Sequence, residues 1–193
     1  MKIPTIIHES VPIGEDDSKN VEVKNINAYF VHTALPRYGS FKSNSSLLNK
    51  YYQMTIQSIL SNYHGFPTDC PHREKNGWTG DAQLSLDTCI YTFNMLEAYK
   101  KYVRDIVDSQ LESGQISCIV PTGTWGYSWG WGPAWDVALF RISEAILDKY
   151  HDIDFIKEVY PSLNKYLDFI LTYSKDDLVS VGLGDWNYPK SIS

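Results

Sequence analysis

Apolar residues recur at spacings of three and four in one stretch after another, and that periodicity restricts this chain to a helical architecture before anything else is considered. Leu48, Tyr52, Ile56, Ile59, Leu60 and Tyr63 form the first stripe, preceded by the good N-cap types Ser43, Asn44 and Ser45 and ended by Gly65 and Pro67. A second helix is predicted from Asp81 through Leu84, Leu86, Cys89 and Ile90. A third runs from about Asn94 through Leu96, Tyr99, Val103, Ile106 and Val107 until Gly114 stops it. Trp135, Ala138, Leu139, Ile142, Ala145, Ile146 and Tyr150 mark a fourth. The fifth starts near Asp152 and carries Ile156, Val159, Leu163, Leu167, Ile170 and Tyr173, with Pro161 expected to kink it or to start a fresh turn.

The helices are joined by unequal connections. Two of these, at 64–80 and 113–132, are long and hold nearly all the unusual residues, and long loops without structure of their own usually have a task. Five or so helices with loaded loops alternating with short ones suggest a layered α/α arrangement whose one rim carries function. Residues 1–37 read differently. Val21, Val23 and Ile26, then Ala28, Phe30 and Val31, hint at strands, and so short a segment cannot bury a core of its own. It is expected to be a lead-in or linker, packed on an absent upstream β-domain, with residues 38–193 forming the helical domain.

Several functions are excluded early. The chain has 23 acids against 17 bases, for a net charge of −6, and lacks the basic clusters a phosphate backbone requires, so no nucleic-acid partner is expected. No apolar run is long enough to span a membrane, and MKIPTIIHES has neither the apolar core nor the cleavage site of an export signal. The chain reads as soluble, with its compartment unknown. Cys70, Cys89 and Cys118 are odd in number and lack CxxC spacing, which predicts free thiols and no zinc ribbon. His72 beside Cys70 lacks the companions a metal site needs, so no metal is expected.

The loop GFPTDCPHREKNGWTGDAQ places Asp69, Glu74 and Asp81 within thirteen residues, interleaved with Arg73 and Trp78. Glycosidases need one carboxylic acid with a raised pKa to protonate the leaving oxygen and a carboxylate on the opposite face to activate water or attack. Trp78 could offer a stacking face and a low-polarity wall that raises a neighbouring carboxyl pKa. Such a loop is more commonly a solvated surface with caps and ion pairs, and Asp81 stands where an N-cap would. Composition alone does not choose.

The string TDCPHREKNGWTGDAQ resembles the signature loop of the α-L-rhamnosidases of glycoside hydrolase family 78, approximately DCP, an Arg, a Glu, then GW and GDAQ. LPRYGSFKSNSSLLNKYYQMTIQSILSN is similar to that family's entry into its catalytic domain. Weaker matches are D-x-x-D-S-Q at Asp105 to Gln110, IVP at Ile119 to Pro121, AWD at Ala134 to Asp136 and GDW at Gly184 to Trp186. The resemblance implies an all-α (α/α)6 barrel, of which this chain would supply about the N-terminal half. It implies inversion of configuration, with a Glu of the signature loop as general acid and a Glu far downstream as general base. Carried over, Glu74 is the acid, and Asp69, Arg73, Trp78 and Asp81 bind rhamnose. Many members read Arg, Asp, Glu, Arg where this chain has Arg73, Glu74, Lys75.

Trp125, Tyr127, Trp129 and Trp131 alternate with Gly and Ser, and strand-like spacing would put several rings on one side. Trp129 and Trp131 then form either a sugar platform or a cluster covering the rim. Trp135 and Asp136 should lead a helix near the same mouth, with Trp186 in the site. The expected partner is a rhamnose-containing glycan or glycoside, and no cofactor is needed because two carboxyl groups and water suffice. The general base and the C-terminal half of the barrel lie outside this sequence. The chain alone is therefore expected to be inactive, with uncovered apolar stripes. Rival readings are an (α/α)6 glycosidase acting on another sugar and a non-catalytic carbohydrate-binding segment.

Overall fold

The computed structural model describes residues 27–123 and 125–184. Seven helices and a small hairpin follow one another as α1 (Ser46–Ser61), α2 (Thr79–Leu84), α3 (Leu86–Thr92), α4 (Leu96–Asp108), α5 (Pro133–Asp136), α6 (Ala138–Tyr150), α7 (Ile153–Leu171), β1 (Ser174–Lys175) and β2 (Leu178–Val179).

Helix α4 is the centre of the core. Tyr99, Tyr102, Val103 and Ile106 are buried on its inner face. They pack against Leu139, Ile142 and Ile146 of α6 and Val159, Tyr166 and Ile170 of α7. At the surface, Lys100 reaches Asp152 at 2.7 Å, and Arg104 grips Glu158 through two hydrogen bonds of 2.6 and 2.8 Å. The predicted caps form: the Ser45 hydroxyl accepts from Leu48 N–H at 3.4 Å, and the Asp152 carboxylate accepts from Phe155 N–H at 3.0 Å.

Four expectations change. The second helix begins at Thr79, with Asp81 in its first turn and Trp78 at the cap position. A side-chain cap is not needed there, because the Thr79 N–H donates to the Cys118 carbonyl at 2.9 Å across the Trp78–Ile119 bridge. That helix also breaks at Ser85, whose hydroxyl donates to the Asp81 carbonyl at 2.9 Å, and Leu84 is left exposed. The fourth helix divides at Val137 into α5 and α6. Helix α7 continues through Pro161, which lies on its exposed side while Val159 and Tyr166 anchor both halves inward.

The strands hinted at around Ala28, Phe30 and Val31 do not form. Residues 27–36 are irregular, tied down where Thr33 N–H donates to the Tyr63 carbonyl and Asn94 N–H to the Pro36 carbonyl, both at 2.8 Å. Val21, Val23 and Ile26 lie outside the described residues. After α7 the chain turns through Asp176 and Asp177, both at positive φ, which is the geometry of a two-residue hairpin turn. Along α1 only Ile56 is buried, whereas Leu47, Leu48, Tyr51 and Met54 are exposed. No helix among the described residues is long and apolar enough to cross a membrane.

Candidate functional site

Residues 62–78 connect α1 to α2, and internal bonds give this loop a fixed shape. Asp69 N–H donates to the Asn76 carbonyl at 3.0 Å, while the Asp69 carboxylate accepts from Asn76 N–H at 2.9 Å. Within the pinched turn, Lys75 takes a positive φ, and the Cys70 sulfur accepts from Glu74 N–H at 3.2 Å. Gly77 then passes directly under Val120, where an added Cβ would meet the Val120 carbonyl oxygen at 1.8 Å. That close approach seats Trp78 beside Cys118 and Ile119 in a small second core.

Trp78 is only 6% exposed. Its ring meets Trp125, Trp129 and Trp135 edge-on at centroid distances of 5.8, 6.0 and 6.5 Å, the arrangement aromatic quadrupoles prefer. Trp78 lines a cleft and also turns its ring N–H toward the acid. That N–H donates to Glu74 Oε2 at 3.0 Å and fixes the carboxyl of an otherwise exposed residue.

A cleft of about 670 Å³, within the usual range for a ligand site, opens between this loop, α2 and α5. Asp69, Arg73, Glu74, Trp78, Asp81 and Trp135 all line it, together with Cys70, Gln83, Ala134 and Leu183. Asp81 is partly open to the cleft, yet the protein around it raises its pKa above the usual carboxylate value. Lost hydration is the main cause, and the charges of Asp69 and then Glu74 add to it against a backbone hydrogen bond that lowers it. The charges of Asp69 and Glu74 are thus close enough to reach Asp81.

Other expected site residues fall elsewhere. Trp129 packs on Trp78 and, at 5.5 Å, on Trp125, and its outer surface is exposed. Trp131 turns the other way, onto Phe169 at 5.4 Å and Tyr173 at 5.1 Å. The shared platform dissolves because Gly130 takes a positive φ and turns the backbone between Trp129 and Trp131. Asp136 is fully buried away from the cleft surface. Its Oδ2 accepts from Gly132 N–H at 2.8 Å and from the Tyr166 hydroxyl at 3.0 Å. Trp186 lies outside the described residues.

Sequence reasoning passed over Cys70 and Leu183 as cleft-lining residues. The first had a signal in its adjacency to Asp69, while nothing in the Leu183 neighbourhood distinguishes that residue. Cys70, Cys89 and Cys118 are all free thiols. Among the described residues no three His, Cys, Asp or Glu side chains converge as metal ligands would.

Comparison with known proteins bears on the same region. An α-L-rhamnosidase of Formosa agariphila is 31% identical over 175 residues, which are 86% of this chain and 18% of that protein. One from an Alteromonas species is 28% identical over 190 residues, covering 93% of this chain and 20% of its own. Among solved structures, the α-L-rhamnosidase from Dictyoglumus thermophilum superposes with a TM-score of 0.78 at 35% identity, covering 86% of this chain and 19% of that one. The Streptomyces avermitilis α-L-rhamnosidase complexed with L-rhamnose gives 0.76 at 27%, covering 83% and 16%. The chain therefore spans about a fifth of the length of the curated relatives it matches. The helical layers and loop described above correspond to the N-terminal portion of a six-hairpin glycosidase fold. Residues 36–193 match the family described as bacterial alpha-L-rhamnosidase 6 hairpin glycosidase domain, and the chain belongs to that family.

Proposed function

We propose that this chain carries the acid half of an inverting α-L-rhamnosidase site that releases terminal rhamnose from a glycan or glycoside. One observation carries the reading. Glu74 is held at the edge of a sugar-sized cleft by the Trp78 ring N–H at 3.0 Å, and Asp69, Arg73 and Asp81 line the same cleft. A proton donor must meet the leaving oxygen from a defined direction, and a tethered carboxyl on an otherwise exposed side chain provides one.

In this mechanism Glu74 gives its proton to the glycosidic oxygen as the bond to the sugar breaks. Asp69 and Asp81 accept hydrogen bonds from the sugar hydroxyls, and their negative charge favours the cationic character that grows on the ring. Arg73 provides donors for hydroxyl oxygens and a counter-charge to the acids. The general base that activates water lies on residues beyond this sequence, across the cleft from Glu74.

The test separates leaving groups. In a polypeptide that carries the complete barrel, Glu74→Gln should lower turnover of an unactivated rhamnoside by about 100-fold or more, the usual contribution of a general acid. It should lower turnover of p-nitrophenyl α-L-rhamnoside much less, because that leaving group needs little protonation. Equal losses on both substrates would remove Glu74 from the role of acid.

A further inference from the structure

The proposed mechanism leaves Asp136 unused, and its surroundings are unusual. Its carboxylate is fully buried, Oδ2 takes two hydrogen bonds, and Oδ1 has no partner. Next to it in sequence, the Trp135 ring N–H is also buried without a partner, so contacts and backbone alone place that indole in the cleft wall. The contacts are close: an added Cβ on Gly80 would meet the Trp135 ring at 2.7 Å.

Gly132, the donor to Asp136, abuts a second piece of the same wall. A Cβ on Gly132 would lie 2.7 Å from the Val181 carbonyl oxygen, and one on Gly182 would lie 1.9 Å from the Trp131 carbonyl oxygen. The following residue, Leu183, lines the cleft. On the opposite side, Tyr166 brings the bond to α7. One buried carboxylate thus joins α7, the 130–132 turn and the peptide of Trp135.

We infer that Asp136 is a positioning residue whose ionisation state sets the placement of Trp135 and Leu183 in the cleft they share with the acids at 69, 74 and 81. Charge-assisted hydrogen bonds are roughly twice as strong as neutral ones, so the ionised carboxylate clamps Gly132 and Tyr166 and the neutral acid holds them more loosely. The change falls in a useful range, because burial pushes the Asp136 carboxyl up to about 7 against the lowering effect of the Gly132 and Tyr166 hydrogen bonds. Titratable groups facing it are Tyr166 from α7 and Cys118 from the preceding loop. Burial and then the Asp136 charge raise the Cys118 thiol to about 12. Helix α2 brings Asp81 to the same cleft, and on α6 Arg141 and Glu144 pair with each other at 2.7 Å. Neither Tyr166 nor Cys118 ionises near neutrality, so the carboxylate titrates as one group.

The inference rests on the functional reading only in taking the cleft as the working site, and its main readout needs no sugar. Acrylamide quenching of tryptophan emission, followed in the full chain from pH 5 to 9, should show an inflection near pH 7. Asp136→Asn retains an oxygen acceptor but cannot ionise, and it should abolish that inflection. Tyr166→Phe removes a bond that favours the charged form, so the inflection should move upward by about half a pH unit or more. A purely structural Asp136 would make the Asn variant less stable and leave the inflection in place. An inflection that survives Asp136→Asn, or one unmoved in Tyr166→Phe should the Asn variant not fold, overturns the inference. A parallel titration with L-rhamnose keeps the two ideas apart: absence of a sugar response counts against the proposed function and leaves the pH result standing.

Discussion

Gly77→Ala would test whether the close crossing beneath Trp78 is what builds the site. Gly77 does not need a left-handed backbone, so its requirement is spatial. The added methyl would sit 1.8 Å from the Val120 carbonyl oxygen, well inside the 3.0 Å that such contacts essentially never cross, and the obstacle is backbone that cannot rotate away. The two segments must separate by about 1 Å or more, which takes the Val120 N–H to Gly77 carbonyl bond, now 2.8 Å, beyond hydrogen-bonding range. The neighbouring Thr79 N–H to Cys118 carbonyl bond, 2.9 Å, opens with it. Two buried backbone bonds at about 1 kcal/mol each, with about 1 to 2 kcal/mol for loosened packing around Trp78, give a gross cost of about 3 to 4 kcal/mol. The alanine recovers under about 1 kcal/mol by restricting the unfolded chain. At about 2 to 4 °C per kcal/mol for a chain of this size, thermal unfolding should fall by about 10 °C. Amide exchange should quicken first at Thr79 and Val120. A variant that melts within about 2 °C of wild type and keeps both amides protected would refute the steric reasoning.

Further tests address electrostatics. Because Asp136 has an ordinary value of 3.8 in the unfolded chain and about 7 when folded, its contribution to stability is fully present below pH 4 and is lost as pH rises toward 7. That gap corresponds to about 4 kcal/mol at most. Denaturant unfolding at pH 5 and pH 8 should therefore show Asp136→Asn gaining on wild type at the higher pH, and a pH-independent difference would contradict the burial argument. Arg104→Ala breaks a two-bond pair to Glu158, but both side chains are close to half exposed. The loss should stay below about 1 kcal/mol and shrink in 1 M salt, and a larger, salt-insensitive loss would mean that Arg104 packing on Phe155 dominates.

Much of the fold could be read along the chain because its determinants are local. Ser45 and Asp152 cap α1 and α7 through side chains that reach three residues ahead, and the α4 stripe is continuous. The signature loop was legible for the same reason, its acids and Trp78 being close in sequence as well as in space. What escaped depends on distant partners. Asp136 is buried because Tyr166, thirty residues later, closes over it. Asp81 does not act as a cap because the Cys118 carbonyl, from another loop, takes the Thr79 N–H. Alternation in 125–131 suggested a strand, yet Gly130, at positive φ, turns the chain between Trp129 and Trp131. The hairpin after α7 turns on two aspartates in the left-handed region and lacks the Asn-Gly pair that usually announces such a turn.

The gathering of Trp78, Trp125, Trp129 and Trp135 in one patch has a spectroscopic consequence. Indoles this close share their excited states, and Trp125 and Trp129, tilted by 32°, are well placed to couple as an exciton pair. Their couplet will overlap the amide bands in the far ultraviolet. A circular dichroism spectrum interpreted by backbone standards alone will therefore misstate the helix content of this chain, and the discrepancy will change whenever the four rings move relative to one another.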